Sequence, residues 1–204
     1  GCNTVRRNAI RTNDETTHII YLDTDLFFPD TILYYIEQAI HEVKSKYYII
    51  TPQIFQLWDS SWDIISHPDY RNQPRENKQW LQNPYQVFEH EPTDIKLLES
   101  PYIKFGGGWF NVFSKNLLEL IDIPNSLGHY GLDDTFVADA SNILKSKNYD
   151  IQQFILNDII VKEDRVYRSY NMDKFFYMNK NQDMMRNNSS INYQQELMSF
   201  KNRI

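Results

Sequence analysis

The order of apolar and polar positions predicts alternating strands and helices. Residues 18–22 read HIIYL and are followed by Asp23, a pattern typical of a short buried strand. From a cap at Asp30, apolar residues recur at helical spacing to about residue 46. A second strand is predicted at 47–51, so the chain begins with a strand, a helix and a strand.

The second half of the chain continues this alternation. Its predicted elements are a strand at 101–105, another strand or a helix entry at 109–113, a helix at 115–121 capped by Ser114, a helix at 133–147, and strands at 150–156 and 158–162. Such an order predicts an α/β fold, in which a mixed, mainly parallel sheet carries helices on both faces.

Two regions lack a regular pattern. Residues 52–93 hold three of the four tryptophans, and this aromatic content indicates an ordered surface excursion because disordered segments are poor in aromatic residues. The segment 166–204 is polar and rich in asparagine, so we expect a partly helical C-terminal extension after a core that spans residues 1–165.

Composition and charge restrict the class of protein. The 204 residues are 41% hydrophobic and 24% charged, which is typical of one globular domain. Cys2 is the only cysteine, which excludes a disulfide framework and a cysteine-based zinc site. A net charge of −6 repels a phosphate backbone, so no nucleic-acid partner is expected. Without a long apolar run or an apolar leader, the sequence predicts a soluble, cytoplasmic protein with no transmembrane segment.

Asp23 and Asp25 form the first candidate site. They stand two residues apart at the exit of the predicted buried strand, in the sequence Asp23-Thr24-Asp25. Paired carboxylates are hard oxygen ligands that suit Mg²⁺ or Mn²⁺ bound to a diphosphate. The alternative is an acidic turn with no ligand.

The second candidate is the glycine segment, Gly106-Gly107-Gly108, followed by Trp109. Three of the six glycines in the chain are concentrated here, so a ligand could approach the backbone closely and stack on the neighbouring aromatic ring. A plain turn explains the glycines equally well.

The third candidate is the adjacent pair Asp133 and Asp134 at a predicted helix start. Backbone N–H groups at a helix N-terminus can hold one carboxylate ionised, while the other accepts a proton. Taken by itself, the pair could equally be a helix cap with an acid in the first turn.

Together the three motifs resemble the glycosyltransferases of the GT-A fold, especially those with a family-two-like or galactosyltransferase-like core. The shared features are the strand before Asp23-Thr24-Asp25, the segment FGGGWF, and GLDD at a helix start. The resemblance covers roughly residues 5–165. It implies a metal-dependent enzyme that transfers a sugar from a nucleotide-diphosphate sugar to a hydroxyl of a glycan or another acceptor.

The resemblance also implies residue roles. Asp23 and Asp25 would hold Mn²⁺ or Mg²⁺, Asp134 would be the catalytic base, and Asp133 would contact the acceptor. The donor and acceptor would also be bound by Arg7, Asn8, Gly106, Gly107, Gly108 and Trp109.

Two features depart from the family pattern. Only 22 residues precede Asp23, so the resemblance implies an N-terminally truncated domain that lacks the upstream nucleotide-binding half. No histidine follows His129 to act as a third metal ligand, and Asp158 or Glu163 is the candidate substitute.

Two other functions stay open. YLDTDLFF also resembles the first motif of haloacid-dehalogenase-like phosphatases, with DDTFVAD at 133–139 as their acidic metal-binding motif. A non-catalytic, glycan-binding remnant of a transferase is the second alternative.

Overall fold

The computed structural model describes residues 15–23, 26–55, 91–100, 110–127, 132–163 and 182–204, together with Asn8 and Ile103. Within these residues six strands form one sheet. They are β1 (His18–Leu22), β2 (Leu26–Phe27), β3 (Tyr47–Phe55), β4 (Leu97–Ser100), β5 (Phe110–Ser114) and β6 (Ile151–Glu163). Their order is β1-β5-β3-β6-β2, and β4 also pairs with β6.

The sheet is mixed, and the expectation of a mainly parallel sheet is wrong. Among the described strands only β3 and β6 pair in parallel. The pairs β1–β5, β3–β5, β2–β6 and β4–β6 are antiparallel. The error has a physical cause: a strand buried on both faces is apolar throughout, and that pattern is the same whichever way the strand runs.

Helices lie on both faces of the sheet, which confirms the predicted α/β class. The helices described are α1 (Ile32–Glu42), α2 (Lys115–Ile121), α3 (Leu132–Ser146) and α4 (Gln182–Arg203). One face of the sheet packs on α1, where Ile32 and Ile36 meet Ile50 and Val112. The other face packs on α2, α3 and α4. None of these helices is long and apolar enough to cross a membrane.

β5 contributes to both layers of the core. All five of its residues are buried. Successive side chains of a strand point to opposite faces, so Phe110 and Val112 pack towards α1 while Phe113 packs towards α2 and α3. Both layers of the described core are therefore built on this strand.

Ser114 joins β5 to α2, as the sequence predicts. Its side-chain oxygen accepts a hydrogen bond from Leu117 N at 3.3 Å, which caps the helix. The same oxygen accepts a bond from Tyr48 N at 3.2 Å, and Tyr48 lies in β3. One buried hydroxyl thus connects two strands and a helix.

The first helix differs from its prediction at both ends. Thr31, and not Asp30, precedes its first residue, and the Thr31 side chain makes no capping hydrogen bond. The helix stops at Glu42 instead of about residue 46, because Val43 is extended and packs against the core beside α1.

The last two predicted strands are one strand. β6 runs without a break from Ile151 to Glu163, and its register against β3 shifts between Pro52 and Gln53. Asp158 lies in the irregular part with a φ of 64°, where a non-glycine residue needs support from its surroundings. A bulge of this kind lets a long strand bend while its pairing continues.

The strand predicted at residues 101–105 lies mostly outside the described residues, and the structure has a strand that was not predicted, β4, just before it. The observed strand, β4, ends at Ser100. Of residues 101–105 only Ile103 is described; it is buried, and its carbonyl accepts a bond from the Asn142 side chain of α3 at 2.8 Å.

The polar segment after residue 165 contributes to the core through α4. Its Tyr193 and Phe200 are buried against Phe136 of α3, with ring centroids 6.4 and 5.8 Å from the Phe136 ring. The Tyr193 hydroxyl also donates a hydrogen bond to Asp139 of α3. Two aromatic anchors therefore hold an otherwise polar helix on the domain.

We expect Ser114→Ala to lower the free energy of unfolding by about 2 kcal/mol, because it removes the helix cap and leaves the Tyr48 N–H without its acceptor. Urea denaturation followed by circular dichroism measures this change. Ser146→Ala is the matched control, since the exposed Ser146 hydroxyl bonds only to Ile143 O in its own helix. Equal losses in the two variants would contradict the joining role of Ser114.

We expect Tyr193→Phe to lower the free energy of unfolding by about 1 kcal/mol at neutral pH, because Asp139 loses a hydrogen-bond donor. Burial, and then the hydrogen bond and negative charge of Asp139, raise the pKa of Tyr193 far above its ordinary value. An unfolded tyrosine ionises near pH 10, whereas the folded one does not. The contribution of Tyr193 to the free energy of unfolding is therefore fully present below about pH 10. It is lost as the pH rises beyond that value, because the unfolded state then ionises first.

Urea titrations of wild type and Tyr193→Phe from pH 7 to pH 11 test this linkage. The difference between the two proteins should stay constant up to about pH 10 and shrink above it. Tyr34→Phe is the control, because Tyr34 is 59% exposed and its hydroxyl has no buried partner among the described residues to lose. A constant difference across the whole range would contradict the linkage.

Candidate functional site

Three strands end at one edge of the sheet. β5 is antiparallel to both β1 and β3, and β6 is parallel to β3, so β1, β3 and β6 all run in the same direction. Their carboxyl ends consequently share one edge, called here the carboxyl edge. Open α/β sheets place ligands at such edges.

Asp23 lies at the carboxyl edge, directly after β1. The strand ends at Leu22, as the sequence predicts, and Asp23 is half-buried. Thr24 and Asp25 lie outside the described residues, and β2 begins at Leu26. In the chain, Asp23 to Asp25 therefore lie between β1 and β2, which stand at opposite ends of the strand order.

The glycine segment leads into the strand next to Asp23. Phe110, the first residue of β5, pairs with Leu22, the last residue of β1. In the chain Phe110 follows Trp109 and the three glycines, and Asp23 follows Leu22. Gly106, Gly107, Gly108 and Trp109 are themselves outside the described residues. The pairing still shows that the two candidate motifs adjoin paired residues on neighbouring strands.

α3 extends from the amino end of β6 back along the sheet. Its last turn adjoins the amino end of β6, where Tyr149 N donates to Leu144 O at 3.2 Å and β6 starts at Ile151. The helix then extends back along the sheet, with Phe136 and Ala140 in the same core as Ile49 and Phe113. With 15 residues it is about 22 Å long, so its first turn lies towards the carboxyl edge.

Asp133 and Asp134 both lie in the first turn of α3. Because the helix begins at Leu132, Asp133 is inside the helix and is not its cap. Asp133 is buried, at 9% exposure, on the same helical face as Phe136 and Val137. The Asp134 side chain is outside the described part of the structure. The N-terminal N–H groups favour negative charge at both positions.

The two candidate substitutes for the third metal ligand lie in different surroundings. Glu163 pairs with Leu26, the residue that follows Asp25, so its backbone is at the carboxyl edge. The Asp158 carboxylate lies earlier in β6 and accepts hydrogen bonds from Thr93 N at 2.6 Å and Asp94 N at 3.0 Å. Asp158 therefore holds the segment before β4, and of the two only Glu163 has its backbone at the carboxyl edge.

Sequence reasoning missed a buried polar pair beside this edge. The Thr51 hydroxyl of β3 donates to Asn111 Oδ1 of β5 at 2.8 Å, and both residues are at least 96% buried. Asn111 is the second residue of the strand that follows the glycine segment. The signal in the sequence is a single amide inside the apolar run WFNVF. A buried pair of this kind specifies the relative position of two strands, because a shift would leave both polar groups unsatisfied.

The remaining candidate residues stay predictions. Arg7 and Asp25 are outside the described residues, and Asn8 is exposed.

The donor chemistry at the carboxyl edge suits a hard divalent cation. Asp23 and Asp25 offer carboxylate oxygens, which Mg²⁺ and Mn²⁺ prefer. Among the described residues alone, no group of three or more histidine, cysteine, aspartate or glutamate side chains could hold a metal ion.

The phosphatase-like alternative gains nothing from the structure. If the protein were such a phosphatase, the acidic stretch 133–139 would bind a metal. Asp139, however, lies in the middle of α3 and accepts a hydrogen bond from the Tyr193 hydroxyl. Its carboxylate therefore forms part of the contact between α3 and α4.

The comparisons with known proteins give no information on function, so the proposal below is argued from the geometry of the site. No protein-family model, no curated protein and no solved structure matches this chain.

Proposed function

We propose that this protein is a metal-dependent glycosyltransferase of the GT-A type, whose active site is the carboxyl edge of the sheet. The observation that carries the proposal is the pairing of Leu22 with Phe110. It joins, across two neighbouring strands, the entry to the paired aspartates and the exit from the glycine segment. The direction of α3, which extends from the amino end of β6 back along the sheet, supports placing its acidic first turn towards the same edge.

The proposed arrangement would supply the parts that sugar transfer from a nucleotide diphosphate requires. A divalent cation held by Asp23 and Asp25 would neutralise the negative charge that grows on the leaving diphosphate. The glycine segment, which lacks side chains, would let the donor sugar lie against the backbone, with Trp109 as a stacking wall. The acceptor hydroxyl would enter between this segment and α3.

Asp134 is the proposed base. It would accept the proton of the acceptor hydroxyl as the oxygen attacks the anomeric carbon, a step that contributes about 10²- to 10⁴-fold to the rate. Asp133, buried against the core, would stay in place beneath it and position the first turn of α3. The N-terminal N–H groups keep negative charge favourable at this position.

The first test is metal-dependent binding of a nucleoside diphosphate. Calorimetry with UDP and GDP should detect binding in the presence of Mn²⁺ and lose it in EDTA. Asp23→Asn should weaken binding by at least about tenfold, because it removes one anionic ligand. Asp30→Asn is the matched control, since Asp30 is exposed on the connection to α1 and should have no effect. Metal-independent binding, or an Asp23→Asn variant that binds like the wild type, would overturn the proposal.

The second test concerns the acidic pair. With the nucleotide sugar that the wild type turns over, Asp134→Asn should preserve donor binding and lower turnover by at least about 10²-fold. Asp133→Asn should act mainly on stability, because the side chain is buried, and thermal denaturation separates the two effects. If Asp134→Asn stays fully active while a folded Asp133→Asn does not, the base is Asp133.

A further inference from the structure

The opposite edge of the sheet carries a second feature, independent of the proposed enzyme activity. The segments that enter the two parallel strands have nearly the same sequence: Lys44-Ser45-Lys46-Tyr47 before and into β3, and Lys145-Ser146-Lys147-Asn148-Tyr149 before β6. Because β3 and β6 are neighbours and parallel, their amino ends lie side by side, with Tyr47 opposite Ile151.

Direct contacts hold the two segments together. The Ser45 hydroxyl donates to the Asp150 carbonyl across the gap between them. The rings of Tyr47 and Tyr149 meet edge to face, with centroids 6.0 Å apart, and Lys46 Nζ lies 4.8 Å from the centre of the Tyr47 ring. We call these six residues the lysine–tyrosine patch: Lys44, Lys46, Tyr47, Lys145, Lys147 and Tyr149.

The patch is a concentration of positive charge on an acidic protein. The chain has a net charge of −6, yet these two adjoining segments carry four lysines, and the carboxylates nearest to them in the sequence are Glu42 and Asp150. Lys44, Lys46 and Lys147 are exposed, and Lys145 is half-buried. The ion pairs found in the described part of the chain, Lys96–Asp94 and Lys115–Glu119, involve none of the four.

The chemistry of the patch fits a broad anionic surface. A lysine is a compact point charge without the planar fork that arginine uses to grip a single phosphate, and the patch contains no arginine. Tyr149 is 36% exposed beside the lysines, and a tyrosine ring with a polar tip suits the boundary between water and a lipid layer. A single-stranded nucleic acid would instead require open aromatic faces for base stacking, but the Tyr47 ring is covered by Lys46 and by Tyr149.

We propose that the lysine–tyrosine patch binds the surface of an anionic lipid bilayer. The net negative charge of the rest of the protein disfavours other orientations on such a surface. β3 has nine residues and is about 30 Å long, so the carboxyl edge would point away from the lipid and stay open to substrates. The contact is peripheral and sensitive to salt, because lysine attraction to anionic lipid falls off within a Debye length.

Vesicle co-sedimentation of the full chain at low ionic strength tests this proposal. The wild type should bind vesicles of phosphatidylserine and phosphatidylcholine, should not bind phosphatidylcholine alone, and should be released by high salt. Lys46→Gln with Lys147→Gln should weaken binding by at least about tenfold. The matched control, Lys96→Gln with Lys201→Gln, removes the same charge from exposed positions elsewhere and should bind like the wild type. Circular dichroism of both double variants checks that the fold is retained.

Three results would overturn the proposal. They are an absence of wild-type binding to anionic vesicles, equal weakening by the two double variants, and equal binding to neutral vesicles. A parallel binding assay with soluble polyphosphate tests the competing partner. If polyphosphate binds the patch and vesicles do not, the partner is a phosphate polymer and not a membrane. The assay needs neither metal nor nucleotide, so its outcome is separate from that of the proposed enzyme activity.

Discussion

The structure depends on the position of β5 between β1 and β3. This strand is buried from Phe110 to Ser114, packs on both layers of helices, and is antiparallel to each neighbour. A shift of one residue in its pairing would turn Phe110 and Val112 away from α1 and bury the wrong side chains. The polar groups at either end oppose the same shift, because Asn111 and Ser114 each have a partner in β3.

This constraint also assembles the candidate site. The glycine segment is far from Asp23 in the chain, and the β5 register makes Phe110 and Leu22 neighbours. The direction of β5 makes β1 and β3 parallel to each other, and β6 is parallel to β3, so the carboxyl ends of these three strands share one edge. A site on the rigid ends of buried strands holds its groups more accurately than one built on loops alone.

The acidic residues of the candidate site and the lysines of the lysine–tyrosine patch lie towards opposite ends of the sheet. Asp23, Asp133 and Asp134 lie towards the carboxyl edge, whereas four lysines lie at the amino ends of β3 and β6. The dipole of α3 matches this arrangement. Its positive N-terminal end lies beside the acidic pair, and Lys145 lies in the last turn, at the negative end. An acidic protein with one basic end has a preferred orientation near any charged surface.

Local chemistry determined the elements that the sequence predicts well. The β1 strand with its end at Asp23, the α2 helix with its Ser114 cap and the α3 helix depend on residues near one another in the chain, and helical or alternating periodicity reveals them. The acidic and glycine motifs were visible for the same reason. Strand direction, the continuous β6 and the Thr51–Asn111 pair were decided by tertiary structure. An apolar run is compatible with either direction, a bulge is stable only against its partner strand, and a buried amide is satisfied only when another strand supplies the donor.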